Sequence, residues 1–192
     1  MLFDVDETLL HTGGSVMRSW TTAFSTLYGF AAAIGEHSSA GETDPQEVRA
    51  MFNDVLHRDP SDDELSHLYA EYPLHLAADI GASKGYRLLP GAERLLTRLQ
   101  ASGITLGLVS GAMEGAARTK LVPVNLNRFF IFGTYGSDSR DRTELTEIAI
   151  VKAVRLHGSL GVEQFYVVGD TPHDMRATNA SGAVSVGVGC GH

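Results

Sequence analysis

The sequence predicts an α/β protein: a doubly wound parallel sheet with an all-helical segment inserted near its N-terminus. Three observations predict it. Residues 88–188 alternate short apolar runs with amphipathic stretches, the pattern of strands joined by helical crossovers. Residues 11–86 carry helical periodicity and no strand candidate. Three apolar runs, before Asp4, Ser110 and Asp170, each stop in small or acidic residues. Strand ends of that kind are where open α/β sheets place ligands. The expected division is a core from 1–10 plus 87–192, interrupted by a helical unit at 11–86. Each part is expected to bury its own apolar contacts.

The N-terminal run Met1-Leu2-Phe3 reads as a buried strand, and Asp4 and Asp6 follow two positions apart. In a regular strand they would share one face. His11-Thr12-Gly13-Gly14 reads as a flexible link. Residues 15–28 place Val16, Trp20, Ala23, Phe24 and Leu27 on one helical face, and Gly29 ends that helix. A polar loop is expected over 35–43. Thr43-Asp44-Pro45 reads as a cap with proline at the first helical position, ahead of a stripe of Val48, Met51, Phe52, Val55 and Leu56. The acids at 62–64 suit the first turn of a third helix, which Pro73 is expected to kink.

Beyond Leu88 a helix opens at Pro90-Gly91-Ala92, with Leu95, Leu96 and Leu99 inward, and ends at Ser102-Gly103. The rest alternates: strand 104–109, helix 111–121, strand 129–132, loop 133–142, helix 143–157, strand 165–168, helix 172–180 and strand 183–188.

The chain has 192 residues, 43% hydrophobic content and a net charge of −8. Such an acidic protein is a poor partner for nucleic acid or an anionic membrane. An anionic substrate would need local positive charge, most simply a metal ion. One cysteine, Cys190, excludes an internal disulfide. Asp4 and Asp6 interrupt any signal-peptide pattern, and no apolar run reaches the roughly 18 residues of a membrane span, so a cytoplasmic location is expected. The eight histidines show no zinc spacing, and His173 reads as a loop residue.

Three strings together carry a resemblance. Asp4-Val5-Asp6-Glu7-Thr8-Leu9, Ser110-Gly111 and Gly169-Asp170-x-x-x-Asp174 resemble the first, second and fourth motifs of the haloacid dehalogenase (HAD) superfamily, in its phosphoglycolate phosphatase-like branch. The order matches and the strings span the chain. Glu7 departs from the pattern, since relatives usually have glycine there. Relatives also usually continue with one more strand and helix beyond 183–188, and only three residues precede Asp4. The resemblance implies a Rossmann-like core, a helical cap at 11–86 and phosphatase activity on a small phosphorylated metabolite. It implies Asp4 as nucleophile and Asp6 as general acid and base. The implied metal is Mg²⁺, bound by Asp4, the backbone carbonyl of Asp6 and Asp170, with Asp174 direct or one shell out. Asp6 favours phosphoryl transfer, because the dehalogenase and phosphonate-cleaving branches lack an acid there.

Ser110 and Gly111 are expected to cradle phosphate oxygens at a helix start. The basic residue that relatives carry as a lysine falls to Arg142, with Lys152 as the alternative and Lys120 third; Arg142 would also contact the phosphate. Gly41-x-Thr43-Asp44 resembles a substrate-facing loop, or is simply a helix cap. A phosphosugar mutase of the same superfamily and a non-enzymatic metal-binding α/β module are the competing readings. A monomer or homodimer is expected.

Overall fold

The computed structural model describes residues 1–32, 41–158 and 160–189. The expected polar loop at 35–40, and Cys190, therefore lie outside the described residues.

Five parallel strands form the sheet: β1 (Leu2–Phe3), β4 (Gly107–Val109), β5 (Phe132–Thr134), β6 (Tyr166–Gly169) and β7 (Val184–Gly187). Their order is β5-β4-β1-β6-β7, with β1 at the centre. The chain builds outward from β1 on one side and then returns to its other side. That reversal opens a crevice at the C-terminal end of β1. The β1 ladder reaches one residue further, since Asp4 N–H donates to the Val168 carbonyl at 2.9 Å.

Alternation along the strands splits the core into two layers. Leu2, Val109 and Val167 face α6 (Arg142–His157), burying Leu145, Ala149 and Ala153. Phe3, Leu108 and Val168 face the other way, toward α4 (Ala92–Ala101) and α5 (Glu114–Leu121). The last crossover, α7 (Pro172–Ala180), joins β6 to β7. Leu95, expected inward on α4, is exposed, whereas Leu96 is buried. The strand expected at 129–132 forms three residues later, because 126–129 closes as a 3-10 turn.

The insertion holds α1 (Ser15–Tyr28), α2 (Asp44–Leu56) and α3 (Asp62–Ile80), and none of them joins the main sheet. α3 runs through Pro73 without ending. Two features differ from the sequence reading. First, 11–14 and 86 are not merely linkers: β2 (Leu10–Thr12) pairs antiparallel with β3 (Tyr86–Leu88), tying both ends of the insertion together. The strands are three residues each, too short to show a period of two. Gly13 makes the crossing possible. A Cβ there would stand 2.5 Å from the Gly85 carbonyl carbon, and its φ is +63°.

Second, the insertion does not bury a separate set of apolar contacts. Trp20, Phe24, Phe52, Tyr72 and Leu76 join the same cluster as Phe3, Leu108, Ala116 and Leu121. Trp20 stacks on Tyr72 at 3.9 Å between ring centroids, which locks α1 to α3. α3 packs against both α1 and α5, which carries the apolar surface of the insertion into the layer beside the sheet.

Candidate active site

At the C-terminal end of β1 the chain turns sharply. Glu7 adopts φ 55°, a left-handed conformation that a side chain resists by about 1 kcal/mol or more. This is the physical reason glycine suits the position. Thr8 follows, and its hydroxyl donates to Asp170 Oδ1 at 3.0 Å, joining the first and fourth motifs.

The turn also separates the two aspartates. Asp4, Asp170 and Asp174 offer carboxylate oxygens within 4.8 Å of one another. Asp6 points elsewhere, to Lys120 Nζ at 2.6 Å. The shared face expected of a regular strand is lost because the strand stops at Phe3. Asp174 is fixed by local sequence: it is the third residue of α7, and its Oδ2 accepts from Thr171 N–H at 3.0 Å and Thr171 Oγ1 at 2.7 Å.

Arg142 serves this cluster. Asp141 caps α6 through bonds from Thr143 and Glu144 N–H, so Arg142 is the first helical residue, one earlier than expected. Its guanidinium pairs with Asp174 Oδ1 and reaches Asp4 Oδ1 at 3.4 Å. Its Nε donates to the Gly41 carbonyl at 2.8 Å. Burial pushes the Asp4 carboxyl well above the usual carboxylate range; Arg142 opposes that push, and Asp174, Asp6 and Asp170 add to it. Burial likewise raises Asp170, with the Thr8 hydroxyl acting against it.

Lys152 does not join the cluster. Its ammonium donates to the Gly133 carbonyl at 2.8 Å and to Asp138 at 3.1 Å. Three turns into α6, it lies near the middle of the crossover rather than at the strand ends. Lys120, third in the sequence ranking, reaches the pocket as Arg142 does. It is only 2% exposed although it is a lysine. Its place on α5 aims it at Asp6, and nothing in the local sequence marks that contact.

Ser110 ends β4, buried, with its N–H held by the Thr134 carbonyl at 2.9 Å. Two amides that could have joined a phosphate cradle are engaged. Ala112 N–H donates to Ser110 Oγ at 3.2 Å, and Met113 N–H donates to Asp44 Oδ2 at 2.8 Å. Asp44 thereby caps α5 from another element. Its own N–H donates to the Gly111 carbonyl at 2.9 Å. Thr43 Oγ1 also crosses over, donating to the Arg140 carbonyl at 2.9 Å. The loop at 41–44 is thus held to the sheet ends on both sides of Gly111. Glycine is required there: a Cβ would meet the Glu42 carbonyl oxygen at 2.9 Å and Thr43 Cα at 3.1 Å.

Between these parts lies a cavity of about 280 Å³. Asp4, Asp170 and Arg142 line it together with Asp6, Lys120, Asp44, Ser110 and Gly111. The arrangement offers a buried carboxylate beside a cluster of oxygen donors, with a second acid a short distance away.

Known proteins bear on this geometry. Residues 1–182 match the family model described as haloacid dehalogenase-like hydrolase. A phosphoglycolate phosphatase from Salmonella paratyphi A is 31% identical over 111 residues, covering 58% of this chain and 43% of that protein. The match thus spans less than half the length of that relative. Among solved structures, CbbY from Rhodobacter sphaeroides in complex with phosphate aligns with a TM-score of 0.76 and 17% identity, covering 98% of this chain and 86% of that one. A phosphonoacetaldehyde hydrolase like protein from Oleispira antarctica aligns at TM-score 0.73 with 18% identity, over 98% and 71% of the two chains. Likeness at such identities shows the fold, while the family model spans nearly all of the sequence. The chain belongs to the haloacid dehalogenase-like hydrolases.

Proposed function

We propose that this chain is a Mg²⁺-dependent phosphatase that hydrolyses a small phosphorylated metabolite through an aspartyl-phosphate intermediate. The observation that carries the reading is the set of Asp4, Asp170 and Asp174, the first and last buried and Asp170 half-buried, gathered at the end of the central strand and faced by Arg142.

The donor set fits the metal. Three carboxylates offer hard oxygens, which suit Mg²⁺, and burying them together without a cation drives their protons on, as the raised Asp4 and Asp170 carboxyls indicate. Asp4, Asp170 and the Asp6 backbone carbonyl would hold it. Asp174 has one oxygen on Arg142 and the other on Thr171, which suits an orienting role as well as a ligand role. When bound, Mg²⁺ would neutralise these carboxylates and let a phosphate dianion enter.

The protein's own groups supply the rest. The Asp4 carboxylate attacks phosphorus as the ester P–O bond breaks. Asp6 gives a proton to the leaving oxygen, then takes one from the water that cleaves the aspartyl phosphate. Lys120 orients Asp6, and Arg142 and Ser110 stabilise the transferring phosphoryl group. A mutase would need the aspartyl phosphate to outlast water and would require a bisphosphate activator.

Phosphate release from a panel of phosphomonoesters tests the reading. Activity is expected with Mg²⁺ and none in excess chelator. Asp4→Asn should lose more than a hundredfold, over about 2.7 kcal/mol of transition-state stabilisation, with the fold intact by circular dichroism. Full activity in chelator, or in Asp4→Asn, would overturn it.

A further inference from the structure

We propose that Lys120 governs the departure of the leaving group, by fixing the Asp6 carboxyl through Oδ2 and leaving Oδ1 to the reaction. This rests on the phosphatase reading and deepens it, by naming the residue on which the choice between good and poor leaving groups depends. The Asp6 carboxyl has little else to hold it. The strand stops at Phe3, Glu7 turns the chain, and the Asp6 side chain is 40% exposed. Lys120 Nζ donates to Oδ2 at 2.6 Å, and among the described residues Oδ1 accepts no hydrogen bond. Without that tether the carboxyl is free to turn among its rotamers in solvent.

Lys120 is fit to be a tether because it is itself fixed. It lies on α5, is 2% exposed and lines the same cavity as Asp6. An exposed lysine gives up rotamer freedom each time it forms a pair, whereas this one has given it up on folding. The insertion and its return strand hold it from two sides. Tyr86 of β3 donates its hydroxyl to the Lys120 carbonyl at 2.8 Å, and the buried Asp44 of α2 adds a second carboxylate near the ammonium. Burial works against the ammonium charge, and Asp6 and Asp44 outweigh it, so the tether is ionic.

The chemistry makes the position of Asp6 matter for some esters more than for others. As an Asp4 carboxylate oxygen bonds to phosphorus, the ester P–O bond breaks and its electron pair stays on the leaving oxygen, which takes the proton of Asp6 Oδ1. An alkoxide needs that proton in order to leave. A 4-nitrophenolate is stable as the anion and leaves without it. Displacing a reacting group by roughly 1 Å costs about a hundredfold in rate, and that cost falls on the ester that needs the proton. Lys120 touches neither phosphorus nor the leaving oxygen in this scheme, so it is a positioning residue.

Benzyl phosphate and 4-nitrophenyl phosphate, of similar size, separate the possibilities. Their kcat/KM values read the steps through departure of the leaving group, and the ratio of the two on one sample does not depend on the fraction folded. The ratio of 4-nitrophenyl to benzyl phosphate is expected to rise at least tenfold over wild type in Lys120→Met and at least tenfold in Asp6→Asn. In Lys120→Met/Asp6→Asn it should rise no further than in the more affected single variant, since both act through one carboxyl. Lys120→Met/Asp44→Asn, which removes both buried charges, should keep the raised ratio while its stability returns. A wild-type ratio in both variants that lack Lys120 but keep Asp6, with the ratio raised in Asp6→Asn, would overturn this inference and leave the phosphatase reading standing. Increases that multiply in Lys120→Met/Asp6→Asn would do the same. Turnover by wild-type protein of neither ester, nor of any other phosphomonoester, would overturn both.

Discussion

Lys120→Met isolates the charge that the pocket wall depends on. Lys120 is buried, bonded to Asp6 at 2.6 Å and close to the buried Asp44. Methionine keeps the apolar length of the side chain and removes the charge. Burial raises Asp44 from 3.8 to about 6, with Lys120 acting against that rise. The other titratable groups facing Asp44 are Asp6, Tyr69 and Tyr72, and both tyrosines are pushed up and neutral through the range considered. A raised folded value means that the native state holds the Asp44 proton more tightly than the unfolded chain does. Stability from this group is present below about pH 4 and is lost as pH climbs through about 6. The loss is on the order of 3 kcal/mol, from roughly two pK steps. Removing Lys120 leaves the ionised Asp44 uncompensated, which costs about 3 kcal/mol for a buried charge. Asp6 adds little, since its side chain is 40% exposed and solvent covers its charge. Urea unfolding should therefore show the variant about 3 kcal/mol less stable at pH 8 and less than about 1 kcal/mol less stable at pH 5, where Asp44 is protonated. Lys120→Met/Asp44→Asn should recover most of the deficit at pH 8. An equal deficit at both pH values would mean that lost packing, not charge, sets the cost. No deficit at pH 8 would mean that Lys120 compensates nothing.

Gly111→Ala puts a Cβ 2.9 Å from the Glu42 carbonyl oxygen, a backbone atom, so the loop at 41–44 must move. We expect about 1–3 kcal/mol of destabilisation and at least a tenfold fall in kcat/KM, read by thermal unfolding and initial rates; wild-type values for both would refute the close contact. Arg142→Lys removes the fork that spans Asp4 and Asp174 and should cost about a hundredfold in kcat/KM. Lys152→Ala, which breaks a partly exposed pair with Asp138, should change rates less than twofold and stability by less than about 1 kcal/mol. The reverse ranking of these two would return the basic role to Lys152.

The sequence by itself determined the α/β class, the insertion point and the positions of Asp4, Ser110, Asp170 and Asp174. Each of those rests on local information. Apolar runs make strands, caps such as Thr171 and Asp141 start helices, and strand ends hold the polar residues. The position of Arg142 at a helix start was legible for the same reason. Tertiary structure decided the remainder. The β2–β3 pair is invisible locally because three-residue strands carry no period and their partner lies about 75 residues away in the chain. The turn at Glu7 sent Asp6 away from Asp4, against the alternation of a regular strand. The union of insertion and sheet in one core depended on which surface α3 met. Lys120 and Asp44 reached the pocket from α5 and α2, on which they read as a surface cation and a helix cap. A salt bridge across 114 residues leaves no mark on either neighbourhood, because its partner is chosen by the packing of helices and not by spacing along the chain.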